Sequence, residues 1–148
     1  MSLVGAPAHP EVLAALERRG ITPPPFASRQ LTAEIAGKAS LILTATRDQR
    51  NQIGMLVPRQ RGAAFTVRQF DRLTRGVTEP DIGPDPDLAA GLATLARRNR
   101  GLVAPGTDDD IDDPLGDARG GFRAAFALMD PPLDRLAETL VALAARLQ

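Results

Sequence analysis

Five aspartates crowd one short stretch of this 148-residue chain, Asp108, Asp109, Asp110, Asp112 and Asp113, and they are the first residues whose type and spacing could do chemistry. Carboxylates at Asp108, Asp110 and Asp112 alternate as at the start of an EF-hand calcium loop. The match ends there, because the sixth position is Asp113 in place of glycine and the twelfth is Arg119 in place of a bidentate glutamate. The stretch reads as a solvated acidic loop, and no metal is expected in it. Asp113 before Pro114 is by residue type a turn former. His9, the one histidine, builds neither a triad nor a metal site by itself, and its place before Pro10 suits the end of a loop or the cap of a helix. Gly120-Gly121 lacks the preceding strand and the cation of a phosphate loop. The chain has no cysteine, which removes thiolate nucleophiles, disulfides, zinc–thiolate sites and iron–sulfur ligation together. No cofactor is expected.

Charge divides along the chain. Residues 1–79 carry 11 Lys/Arg against 6 Asp/Glu, and residues 80–148 carry 7 against 12, so that +5 is set against −5 in a chain of zero net charge. Seven arginines fall between Arg47 and Arg75. They read as solvated helix and loop faces, and no nucleic-acid partner is expected, since the basic residues are not interleaved with the aromatics that single-strand binding uses. No apolar run approaches the ~20 residues of a bilayer span, and the start of the chain lacks the charged and apolar regions of an export signal. A cytoplasmic protein without a membrane partner is the expectation. A length of 148 residues with 43% apolar and 24% charged residues fits one folded domain, 1–148.

The elements that must hold the acidic loop can be placed from periodicity and caps. A first helix runs over about 10–19, with Pro10 in its first turn, Val12, Leu13 and Leu16 on one face and Gly20 at its end. Thr22-Pro23-Pro24-Pro25 is a stiff connector, and a short helix follows around 32–38. Leu41-Ile42-Leu43-Thr44 reads as a buried strand. Thr46-Arg47-Asp48-Gln49 is a capping box for a helix whose inward stripe is Ile53, Leu56 and Val57 and which Pro58 stops. The pattern repeats: Ala63-Ala64-Phe65-Thr66 is a strand, and Thr66-Val67-Arg68-Gln69 caps a helix with Phe70 and Leu73 inside. Strand, helix, strand, helix implies a parallel sheet.

Residues 76–86 read as a loop, after which Asp85 caps a helix with Pro86 at its first position and Leu88, Leu92 and Leu95 in its apolar row. A second loop covers 107–121. Phe122, Phe126, Met129, Leu133, Leu136, Leu140, Leu143 and Leu147 then recur in steps of four and three. Because Pro131-Pro132 interrupts this stripe, two collinear helices or one sharply kinked helix are expected, with Asp130 recapping the second part.

In this order the segments resemble the low-molecular-weight protein tyrosine phosphatase family over nearly the whole chain. The resemblance is carried by His9-Pro10-Glu11-Val12 through Ile21, by Ala27 to Leu31, by Leu41 to Thr44 with Arg47 and Val57-Pro58, by Ala64 to Phe70, by Asp112-Asp113-Pro114-Leu115-Gly116, and by the amphipathic stretch from Phe122. It implies an α/β fold, a helix-rich remnant of a flavodoxin-like parallel sheet missing the first βα unit and the second strand. It also implies that Asp113 is the general-acid equivalent, the group that protonates the leaving phenolic oxygen and later activates water. The family's Cys-to-Arg phosphate loop would precede residue 1, and nothing in the chain replaces its nucleophile. Ser40 stands where the family usually has aspartate, Ala45 where it has methionine, and Leu115 where it has an aromatic. The expected protein is therefore phosphatase-like and inactive as a lone chain, or else a non-catalytic module binding a protein partner. Loss of the family's central first strand would leave a bare edge, which implies a homodimer.

Overall fold

The computed structural model describes residues 4–83, 86–116 and 120–146. They fall into two compact units, residues 1–32 and 33–148. In the first unit, helix α1 (Pro10–Arg18) opens at His9, whose Nδ1 accepts the Glu11 amide at 3.2 Å, and ends before Gly20, which takes a left-handed φ of 68°. Val12 and Leu16 are half-buried, Leu13 is exposed, and no residue of the helix is fully covered. Backbone bonds from Gly5 to Ser28 and from Ser28 back to Ala6, at 2.8 and 2.9 Å, tie the two ends of the unit together.

The second unit is α/β and helix-rich. After α2 (Ala33–Lys38), strand β1 (Ile42–Thr44) leads through α3 (Arg47–Leu56) and a 3-10 turn (Pro58–Gly62) to β2 (Ala64–Thr66). The strands pair in parallel, Leu43 opposite Phe65, as the alternation of elements requires. They are the one sheet among the described residues. Thr46 caps α3 with both halves of a capping box, its side chain receiving the Gln49 amide while Gln49 reaches back. Within the expected stripe Ile53 and Val57 are buried, but Leu56 is 45% exposed: it lies on the outer side of the last turn.

Thr66 caps α4 (Val67–Thr74) in the same way, although only one half of the second box forms. Gln69 points its Oε1 at Arg50 Nη1 instead, at 3.0 Å. Phe70 and Leu73 turn inward and join Phe65, Leu92, Ala93, Ala96 and Leu143 in the core. The region expected as loop holds one helical turn, α5 (Glu79–Ile82), capped by Thr78. Helix α6 (Leu88–Asn99) begins two residues later than expected, with Asp87 rather than Asp85 as its cap, since the Asp87 carboxylate accepts the Ala90 amide. Asp85 lies outside the described residues.

The last element is one helix, α7 (Gly121–Arg146), with Pro131 and Pro132 inside it. Asp130 sits mid-helix and opens no second element. Leu147 lies outside the described residues. Two prolines withhold two donors from the preceding turn, at a cost of ~3 kcal/mol each in a free helix. Here packing overrides that cost: Pro132 is buried beside α4, and Arg135, one turn on, grips Asp71 of α4 with Nε–Oδ1 and Nη2–Oδ2 at 2.6 and 2.9 Å. No helix among the described residues is long and apolar enough to cross a membrane.

Candidate functional site

The acidic loop is fastened at the carboxyl end of the sheet. Ile111 donates its amide to the carbonyl of Ala45, the residue following β1, at 3.0 Å, and buries its side chain between Val67 and Ala125. Arginines from α3 and α4 take the preceding aspartates one by one. Arg72 holds Asp109 through two bonds, 2.5 and 3.0 Å, Arg68 approaches Asp108 at 3.5 Å, and Arg47 meets Asp110 at 3.3 Å. Asp110 Oδ1 also accepts the Arg47 amide at 2.7 Å, placing a carboxylate on the first free N–H of α3, where the helix dipole favours an anion. The bond from Arg72 holds the Asp109 carboxyl below the usual carboxylate range, against the opposing effect of its burial.

These bonds consume the carboxylates that suggested calcium. Asp108 and Asp110 face different arginines and Asp112 faces solvent, so the alternation in sequence does not become a cage in space. Arg119, the twelfth position of that pattern, lies outside the described residues. Among the described residues no three His, Asp or Glu side chains converge as metal ligands.

Beyond Ile111 the loop turns outward. Asp113 is exposed, and its Oδ1 accepts the Leu115 amide at 2.9 Å while its carbonyl accepts the Gly116 amide at 3.1 Å, an Asx-type turn around Pro114. The result is a solvent-facing carboxylate on a short tether anchored to the carboxyl end of a parallel strand, the position at which open α/β sheets bind ligands. His9 belongs to the first unit as the cap of α1.

Sequence reading recognised the loop but missed what holds it. Arg47, Arg68 and Arg72 appear in the sequence as solvated charges, and only the spacing Arg68-Arg72, one helical turn on one face, hinted at a shared partner. Against known proteins, the chain matches no family model, no curated protein and no solved structure.

Proposed function

We propose that the chain is a low-molecular-weight protein-tyrosine-phosphatase-like protein, of the phosphate monoester hydrolase family, that carries the general-acid loop of the reaction but not its thiolate. The observation that carries the reading is the attachment of Asp113-Pro114, through Ile111 and Asp110, to the carboxyl end of β1 and the start of α3. A strand and Cys-Arg loop supplied beside β1, by the same polypeptide or another, would complete a flavodoxin-like sheet and bring a thiolate to that end. The thiolate would attack phosphorus, and Asp113 would give its proton to the departing aryl oxygen. The lone chain has no group for the first step. Its compartment in this reading is the cytoplasm.

The test joins the first strand, phosphate loop, helix and second strand of a family member ahead of the full chain. The fusion should hydrolyse an aryl phosphate in a vanadate-sensitive manner, the chain alone should not, and Asp113→Asn in the fusion should lower kcat by about a hundredfold. Vanadate-sensitive turnover by the chain alone, or an active fusion indifferent to Asp113→Asn, would overturn the reading.

A second reading, a homodimer or a non-catalytic module for a protein partner, is favoured by the state of β1. All three of its residues are half-exposed, and no strand among the described residues covers its far edge. An open edge of this kind pairs readily with another chain.

A further inference from the structure

Two groups of arginines line cavities in the second unit. Beside α4 and α7 a cavity of about 410 Å³ is lined by Arg68, Arg72, Arg75 and Arg135, and each of these has a carboxylate, from Asp71, Asp108 or Asp109. A second cavity of about 460 Å³, between α3, the 3-10 turn, the start of α4 and the end of α6, is lined by Arg50, Arg61 and Arg100 with no acidic residue in its wall. Their hydrogen-bond partners among the described residues are all neutral. Arg50 donates to Gln69 at 3.0 Å and to Asn51 at 3.3 Å, Arg61 reaches the Gly54 carbonyl at 3.5 Å, and Arg100 bonds the Ala64 carbonyl at 2.6 Å.

Guanidiniums that share a cavity wall without an anion repel one another, and Arg50 lies near enough to Arg100 for its charge to be felt there. Burial, and after it the charges of Arg50 and Arg97, lower the pKa of Arg100 below the ordinary guanidinium value. The group remains protonated at neutral pH regardless. Arg100 Nε is buried with no hydrogen-bond partner among the described residues, an open donor of the kind folded proteins rarely leave. Arg72 Nε is in the same state, but both of its other nitrogens are spent on Asp109. The close approach also depends on sequence: a Cβ at Gly54 would stand 3.0 Å from Arg61 Nε, so the glycine admits that side chain against α3.

We propose that this cavity binds a phosphate group, free or as a monoester, between the guanidiniums of Arg50, Arg61 and Arg100. Guanidinium forks match tetrahedral oxyanions through paired N–H···O bonds, and a dianion neutralises more of a triple positive site than a carboxylate does. Asn51 and Gln69 supply neutral polar groups beside them, and Met55, 79% exposed in the wall, offers an apolar surface to a monoester's organic part. The site uses neither Asp113 nor the loop that anchors it and stands whether or not the phosphatase-like reading does.

Calorimetric titration of the full chain at constant ionic strength, with inorganic phosphate, phenyl phosphate and sulfate, tests it. One saturable site is expected, with phenyl phosphate affinity rising from pH 5 to 7 as the monoester loses its second proton near pH ~6, and sulfate affinity flat over the same range. Arg50→Gln and Arg61→Gln should each weaken binding about tenfold with melting behaviour retained, and Arg123→Gln, the same charge change on α7 outside the cavity, should leave it unchanged. Tighter binding of phenyl phosphate than of phosphate would identify a monoester, and equal binding the free ion. Absence of saturation, or equal weakening by Arg123→Gln, would overturn the proposal.

Discussion

Along β2 the outer edge of the sheet is covered, whereas along β1 it is not. Ile42 donates to the Ala63 carbonyl at 2.9 Å, so parallel alternation turns the peptide groups of Ala64 away from β1 and those of Leu43 away from β2. On the Ala64 side, Arg100 fills the gap: its Nη2 takes the outward carbonyl and its guanidinium lies 4.2 Å from the centre of the Phe65 ring. Every residue of β2 is buried. On the Leu43 side no side chain among the described residues makes a comparable bond to the backbone, and every residue of β1 is half-exposed. One edge is closed by a side chain, and the other is left half-exposed, which is the feature the proposed reading rests on.

The largest test of this contrast is truncation of the facing pair. Phe65→Ala should cost ~3–5 kcal/mol in urea unfolding, as for a fully packed aromatic, and Leu43→Ala only ~1–2 kcal/mol because its surroundings are half open. Equal losses would mean that β1 is as enclosed as β2. Next in size, Arg100→Leu should cost ~1–3 kcal/mol through the stranded Ala64 carbonyl. A neutral substitution would show that the β2 edge closes without it.

Much of this was legible in advance where the signal is local. Thr46 with Gln49, Thr66 with Gln69, and the rows Ile53/Val57 and Leu92/Leu95 placed three helices, because caps and helical periodicity act over three or four residues. The failures are long-range. Gln69 leaves its box for Arg50, nineteen residues away, and α7 runs through Pro131-Pro132 because Asp71, sixty-four residues before Arg135, clamps it to α4. Likewise Asp113-Pro114 could be read as a turn, but its attachment to Ala45 could not, and the arginine cavity draws on four separate elements. Helix propensity and cap motifs are blind to such partners.

A smaller test concerns the clamp that supports the covered side. Burial tends to raise the Asp71 carboxyl pKa, but bonds from Arg135 and Arg75 prevail and hold it below its ordinary value, as Arg72 does for Asp109. A carboxyl lowered on folding stabilises the protein above its unfolded pKa of ~3.9, and the contribution fades as pH falls through the lower folded value. Unfolding midpoints should therefore be level near neutrality and drop below about pH 4. Asp71→Asn should cost ~1–3 kcal/mol at pH 7 and flatten that acid limb, and an unchanged limb would remove Asp71 from the account.

The open edge itself is tested most directly by mass in solution. On the proposed reading, in which the bare side of β1 takes up a second copy, light scattering on the chain at micromolar concentration should give about twice the mass of one chain. The same measurement on the fusion that supplies a strand beside β1 should give a single chain. A stable monomer of the unfused chain, or a fusion that still dimerises, would contradict the claim that β1 is built to receive another strand.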